Sequence, residues 1–457
     1  MTNDTLTTPQ LRLKIRGRPE RFGGRHAISG FKHSLALVAA ACTVAEGTLR
    51  IANVPRIAET RLLATLLRAH GARVEPGDGT LEVNASSLRP AVGVEDVERR
   101  IHGSVYLLPG ILRKVGAATL AAGGGCALGS GPGGIRPFEH YAGVLRDFGV
   151  VVHTRPDGTI DAHGCQWPGA DLDMSRYLSS GLSAAENHYS GATKMAVLMA
   201  AGAGSPSTIR NPYAKLEMST LLETLRSAGV DTVSRWDSRQ HVLIVDPGGG
   251  AKFVAGAAVR LPADLIEVVT FVVAAAVFGT DDLYLTNLLA ADLSDGLDHE
   301  LAAFRRFGVD LELGDDHLRI RPAQARLTGA ELTSCHAPSP YSDSQPFFAL
   351  LGAFARGLSR ITDEVWPARF GYVDEMRKLG MAMTRTNAGV TVHGGVRGPK
   401  AAVVQASDLR SAAVLTLACT ALDGETVVAG VQHLRRGYPD LAGALRALGA
   451  DIESETP

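Results

Sequence analysis

LLRAHGARVE, residues 66–75, is the first of six copies of one phrase. It returns as VLRDFGVVVH (144–153), TLRSAGVDTV (224–233), AFRRFGVDLE (303–312), EMRKLGMAMT (375–384) and ALRALGADIE (444–453). Each copy runs as an amphipathic helix pattern up to one glycine and as an alternating pattern beyond it. That glycine therefore marks a helix C-terminus, where a left-handed residue is needed before a strand begins. The glycines are Gly71, Gly149, Gly229, Gly308, Gly380 and Gly449, spaced by 78, 80, 79, 72 and 69 residues. Self-similarity at one period means a single supersecondary unit used six times.

Upstream of most copies lies an Ala-rich apolar helix pattern: LALVAAACTVA (35–45), TKMAVLMAAGAG (193–204), VVTFVVAAAVFG (268–279), FFALLGAFARG (347–357) and AAVLTLACTALDG (412–424). A helix that is apolar all round is a buried one. Strand patterns such as TLRIANV (48–54) and ETVVAGV (425–431) follow. The expected fold class is α/β, and 457 residues in six modules fit two domains of three.

Composition is globular, with 45% hydrophobic and 20% charged residues, and the net charge is -1 without a run of like charges. Neither a nucleic-acid polymer nor an anionic membrane is favoured as a partner. The start, MTNDTLTTPQLRLKIRG, has an early acidic residue and no apolar core of a secretory signal. VVTFVVAAAVFG, the longest apolar run, falls short of the roughly 18 residues that a membrane helix needs. A cytoplasmic protein is expected. Cys42, Cys126, Cys165, Cys335 and Cys419 are scattered without a CxxC pair, so neither a disulfide framework nor a zinc site is indicated. A non-catalytic six-repeat scaffold, such as a ring-shaped DNA clamp, is one alternative, although a clamp wants a basic lumen.

Candidate chemistry falls where the modules differ, at the starts of buried helices: FKHS (31–34), NHYSGATK (187–194), YSDSQPFF (341–348) and SDLRSAA (407–413). Helix N-termini attract anions, which makes Ser190 and Gly191 candidate substrate-binding residues. Ordinary N-capping by Ser34, Ser190, Asp343 and Asp408 is the competing explanation. Capping does not account for Lys32, Asp343 and Arg410. The glycine-rich GGGCALGSGPGGIRP (123–137) lacks the GK[ST] of a P-loop and is not a GxGxxG turn. It holds Cys126, and a cysteine in a polar loop near arginines has a stabilised, reactive thiolate.

Together, KH before the first buried helix, GGGCALG, YSDSQ, DLRSAA and RRGYPDL resemble the enolpyruvyl transferases, in order and over nearly the whole chain. Most similar are the UDP-N-acetylglucosamine enolpyruvyl transferases of cell-wall synthesis. The shikimate-pathway transferases share the fold and lack the cysteine loop. The resemblance implies two inside-out α/β barrel domains with helices buried inside: residues 32–262 with the Cys126 lid loop, and 1–31 with 263–457. It implies transfer of an enolpyruvyl group from phosphoenolpyruvate to the hydroxyl of a uridine nucleotide, without metal or other cofactor. Lys32 would hold the phosphate, and Arg410 and Arg436 would clamp the carboxylate and phosphate. Asp343 would take the proton from the attacking hydroxyl. Cys126 would be the general acid or transient nucleophile and the target of fosfomycin. Arg369, Asp408 and His433 match further polar positions of the family.

Three departures stand out. His33 follows Lys32 where the family has asparagine. His102 in IHGS replaces the arginine of an MR pair. The arginine beyond the cysteine falls on Gly131 in an ungapped match, and Arg136 restores it only through an insertion in the loop. Retained chemistry with altered acceptor recognition points to the nikkomycin and polyoxin branch, which acts on the 3′-hydroxyl of UMP. A cell-wall enzyme using UDP-N-acetylglucosamine is the alternative.

Overall fold

The computed structural model describes residues 11–121, 138–156, 159–177, 190–237, 240–334, 339–366, 369–396 and 402–455. All six phrase glycines have positive φ, from 81° at Gly229 to 119° at Gly449. Each closes a helix in the same way. Gly71 N–H donates to the Arg68 carbonyl at 2.9 Å and Ala72 N–H to the Leu67 carbonyl at 3.0 Å, the paired bonds of a Schellman cap. The same two bonds recur at Gly149, Gly229, Gly308, Gly380 and Gly449. The arginine three residues before each glycine sits in the last turn, where the helix dipole favours a cation. Arg68 and Arg446 also donate across the cap, to the carbonyls of Val74 and Ile452 in the strands beyond.

The chain divides into two compact units, one of Met1–Ser29, Ala263–Cys335 and Ser339–Pro457, the other of Gly30–Pro262 with His336–Pro338. Among the described residues each holds three sheets. In the second unit Thr48–Ala52 pairs antiparallel with Thr80–Asn84 and parallel with Ala258–Arg260. In the first unit Leu358–Asp363 repeats the pattern, antiparallel to Gly389–His393 and parallel to Glu331–Ser334. Five of the six sheets have four strands and one has three, and none closes on itself. The fold is thus mixed α/β, but the expected barrels are not closed β-barrels: among the described residues the strands form separate open sheets.

Helices fill the interior of each unit. All residues of Leu265–Phe278 are buried, and that helix packs against Gln345–Phe354 and Leu409–Thr420. In the other unit Lys32–Val44, Leu108–Val115 and Ser190–Ala201 pack against one another. Leu108–Val115 carries no long apolar run, because it is short, has proline in its first turn and carries Arg113 and Lys114 in its last. Gly110 fits it to its neighbour, since a Cβ there would lie 2.1 Å from Thr43 Oγ1. Cys42 and Cys419 belong to this packing, and burial pushes both thiols up to about 12. No helix among the described residues is long and apolar enough to cross a membrane.

Candidate active site

In the unit containing Asp343, every residue of YSDSQ is tied to a buried polar partner. Tyr341 N–H donates to Glu300 Oε1 at 2.6 Å, and Ser344 Oγ donates to the same oxygen at 2.9 Å. Ser342 Oγ donates to Asp363 Oδ2 at 2.6 Å. Gln345 Nε2 donates to the Arg369 carbonyl at 3.0 Å, while its Oε1 accepts from Tyr372 OH at 2.7 Å. Asp343 itself lies in the short 3-10 turn Ser342–Ser344 ahead of the Gln345–Phe354 helix. Its Oδ1 accepts from Arg369 Nη1. Its Oδ2 accepts from Arg410 Nε at 3.1 Å and Nη2 at 2.8 Å.

Both arginines are buried, at 6% and 2% exposure for Arg369 and Arg410. Burial alone would lower their pKa values, but Asp343 first, together with Asp408 at Arg369 and with Tyr438 and Asp264 at Arg410, more than offsets it, so both guanidiniums stay charged. Arg410 Nη1 donates to Tyr438 OH at 3.2 Å, and Tyr438 OH lies 2.7 Å from Thr270 Oγ1. Arg369 Nε is buried with no hydrogen-bond partner among the described residues. The arrangement holds one carboxylate between two fixed cations, a set with one net positive charge that favours an anion alongside.

Asp408 is an N-cap: its Oδ1 accepts from Arg410 N–H at 2.8 Å and Ser411 N–H at 3.2 Å, and Ser411 Oγ completes a capping box. Asp343 is not a cap, because Ser344 occupies that position. Ser34 is not one either; Phe31 precedes the helix and Ser34 Oγ donates to Thr220 Oγ1 at 3.2 Å. Arg436 ends the turn Val431–Arg436, which also carries His433. Burial, then the Arg436 charge, lowers the His433 pKa.

In the other unit Lys32 opens the Lys32–Val44 helix, and its Nζ lies 3.3 Å from Glu59 Oε2. His33 packs beside Phe31 with ring centroids 4.9 Å apart. It also helps lower the pKa of Glu217, a buried carboxylate that accepts from Lys194 Nζ at 2.9 Å and Tyr213 OH at 3.1 Å. Ser190 is the first residue of its helix. Gly191 is required by packing, since a Cβ would stand 2.4 Å from Tyr141 OH. His102 Nε2 lies 3.1 Å from that same hydroxyl. Cys126 and Arg136 lie outside the described residues.

The structure therefore joins Asp343, Arg369 and Arg410 directly. It adds Tyr438, Glu300, Asp363 and Gln345, which sequence reasoning did not single out. Tyr438 and Gln345 stand inside the motifs RRGYPDL and YSDSQ, so adjacency to the named residues was the available signal. Glu300 and Asp363 carry none.

The family described as EPSP synthase (3-phosphoshikimate 1-carboxyvinyltransferase) matches residues 18–445. A UDP-N-acetylglucosamine 1-carboxyvinyltransferase from Xanthobacter autotrophicus is 30% identical over 448 residues, covering 94% of this chain and 96% of its relative. One from Zymomonas mobilis is 29% identical, covering 97% and 99%. The crystal structure of the enolpyruvyl transferase NikO from Streptomyces tendae superimposes with a TM-score of 0.88 at 33% identity, covering 98% of this chain and all of that one. EPSP synthase from Acinetobacter baumannii, at a TM-score of 0.72 and 17% identity, shares the fold. These likenesses span almost the entire chain and leave no room for a non-catalytic scaffold or clamp: the protein belongs to the EPSP synthase family and is an enolpyruvyl transferase.

Proposed function

We propose that the protein moves the enolpyruvyl group of phosphoenolpyruvate onto the 3′-hydroxyl of UMP, releasing phosphate, in the biosynthesis of a nikkomycin-type nucleoside antibiotic. The observation that carries the choice of acceptor is His33, an imidazole beside the buried Glu217–Lys194 pair where the resemblance leads one to expect an amide for an amino sugar. A buried site that loses such a partner discriminates by about tenfold or more. The likeness to NikO supports the same branch.

On this reading Asp343 accepts the proton of the attacking hydroxyl, whose oxygen bonds to C2 of phosphoenolpyruvate while Cys126 protonates C3. Loss of a proton from C3 and cleavage of the bond between C2 and the phosphate oxygen then give the enol ether product and inorganic phosphate. Arg410, Arg369 and Arg436 hold the carboxylate and phosphate, and Lys32 the phosphate. The Nε of Arg369, buried without a hydrogen-bond partner among the described residues, supports an anion at this place.

The test is phosphate release and product mass with phosphoenolpyruvate and either UMP or UDP-N-acetylglucosamine. Enolpyruvyl-UMP with an inert amino-sugar nucleotide is expected. The reverse pattern establishes the second reading, a cell-wall enzyme, which the curated relatives at 29–30% identity favour. Cys126→Ala should lose most turnover, whereas Cys126→Asp should retain part of it and escape covalent labelling by fosfomycin. Full activity of Cys126→Ala would remove the thiol from the mechanism.

A further inference from the structure

We infer that Asp363 is a positioning residue that sets both halves of the Asp343–Arg369 pair. The strand Leu358–Asp363 ends on this side chain, which is fully buried and has no surface role. One oxygen, Oδ2, accepts the Ser342 hydroxyl at 2.6 Å, immediately before Asp343. The other, Oδ1, accepts the amides of Val365 at 2.9 Å and Trp366 at 3.1 Å. Trp366 in turn receives the Arg369 amide on its carbonyl at 2.9 Å. A single carboxylate thus pins the residue beside the proton acceptor and the turn that leads to the arginine gripping it.

The cost shows that this is not incidental packing. Burial pushes the Asp363 carboxyl up to about 6, against the pull of the Ser342 hydroxyl and the Trp366 amide. A purely structural strand end would be served as well by an uncharged side chain. What a carboxylate supplies here is three convergent acceptor contacts that hold two separate segments in one register. Misplacement of a reacting group by about 1 Å costs on the order of a hundredfold in rate, so such a tether acts on turnover more than on affinity.

This assignment rests on Asp343 being the proton acceptor, and the variants separate the two statements. Ser342→Ala cuts the tether on the Asp343 side alone, Ser342→Thr restores the hydroxyl, and Asp363→Asn replaces the acceptor. We expect Ser342→Ala and Asp363→Asn to lower kcat by about ten- to a hundredfold, with KM for phosphoenolpyruvate within about threefold, and Ser342→Thr to recover most of the loss. Asp343→Asn is the reference and should be inactive. An inactive Asp343→Asn beside wild-type kcat in Ser342→Ala overturns the positioning role and leaves the proton acceptor standing. An active Asp343→Asn overturns both. Should Asp363→Asn fail to fold, Ser342→Ala decides. Its crystal structure gives a readout independent of turnover: Asp343 displaced from Arg410 is expected, and an unmoved carboxylate overturns the inference.

Discussion

Replacing Lys194 with methionine should turn a stabilising carboxylate into a destabilising one, with a pH dependence that identifies the cause. Lys194 Nζ lies 2.9 Å from Glu217 Oε1, and the two residues are 8% and 1% exposed. Burial by itself raises the Glu217 pKa, yet the Lys194 charge, helped by His33, brings it from 4.5 down to about 2. A carboxyl held below its unfolded value contributes stability that is complete above 4.5 and is lost as the pH falls towards 2. The difference is worth about 3 kcal/mol. With methionine at 194 the desolvation is no longer offset, so the folded-state pKa rises above the unfolded one. The sign then reverses: the variant binds protons more tightly folded than unfolded, and gains stability as the pH falls.

We expect Lys194→Met to be destabilised by about 3–5 kcal/mol at pH 7, and its deficit relative to the parent protein to shrink at pH 5. Urea unfolding followed by circular dichroism at the two pH values measures both. The double variant Lys194→Met, Glu217→Gln should recover part of the loss, because the buried charge is gone. A single variant with the parent's midpoint, or one whose deficit is the same at pH 5 and pH 7, would refute the electrostatic argument.

Two further outcomes follow from contacts already described. Gly191→Ala brings a Cβ to 2.4 Å from the hydroxyl of Tyr141, a ring only 2% exposed; it should cost about 1–3 kcal/mol. An unchanged thermal midpoint would show that the ring moves freely. Arg410→Lys keeps the charge but cannot reproduce the Nε and Nη2 contacts to Asp343 together with the Nη1 contact to Tyr438. Its kcat/KM should fall by about a hundredfold, near 3 kcal/mol, and parent-like kinetics would deny the fork a role.

Most of the architecture was legible because it is local. The six glycines, their positive φ and the paired cap bonds depend on residues within one helix turn of each other. Burial of the Ala-rich helices follows from composition alone. Leu108–Val115 was not legible: Pro109, Arg113 and Lys114 break its apolar pattern, and its burial comes from the fit of Gly110 against Thr43. Inside-out α/β barrels with buried helices were expected; the buried helices follow from composition, whereas the division of the strands into separate open sheets is not written into any one module.

The site divides in the same way. YSDSQ and DLR stand out in the sequence as polar breaks at the starts of apolar helices, and the capping by Asp408 is a local event that the motif by itself determines. Asp343 is 26 residues from Arg369 and 67 from Arg410, and Ser342 is 21 from Asp363. Hydrogen-bond partners at such separations are chosen by how the helices and strands pack, since a buried polar group must be paired by whatever the fold brings within reach. The amino-acid order thus determined the repeated unit, its caps and the identity of the polar motifs. Tertiary structure alone decided that two buried guanidiniums share one carboxylate, and that a second carboxylate, Asp363, holds it in place.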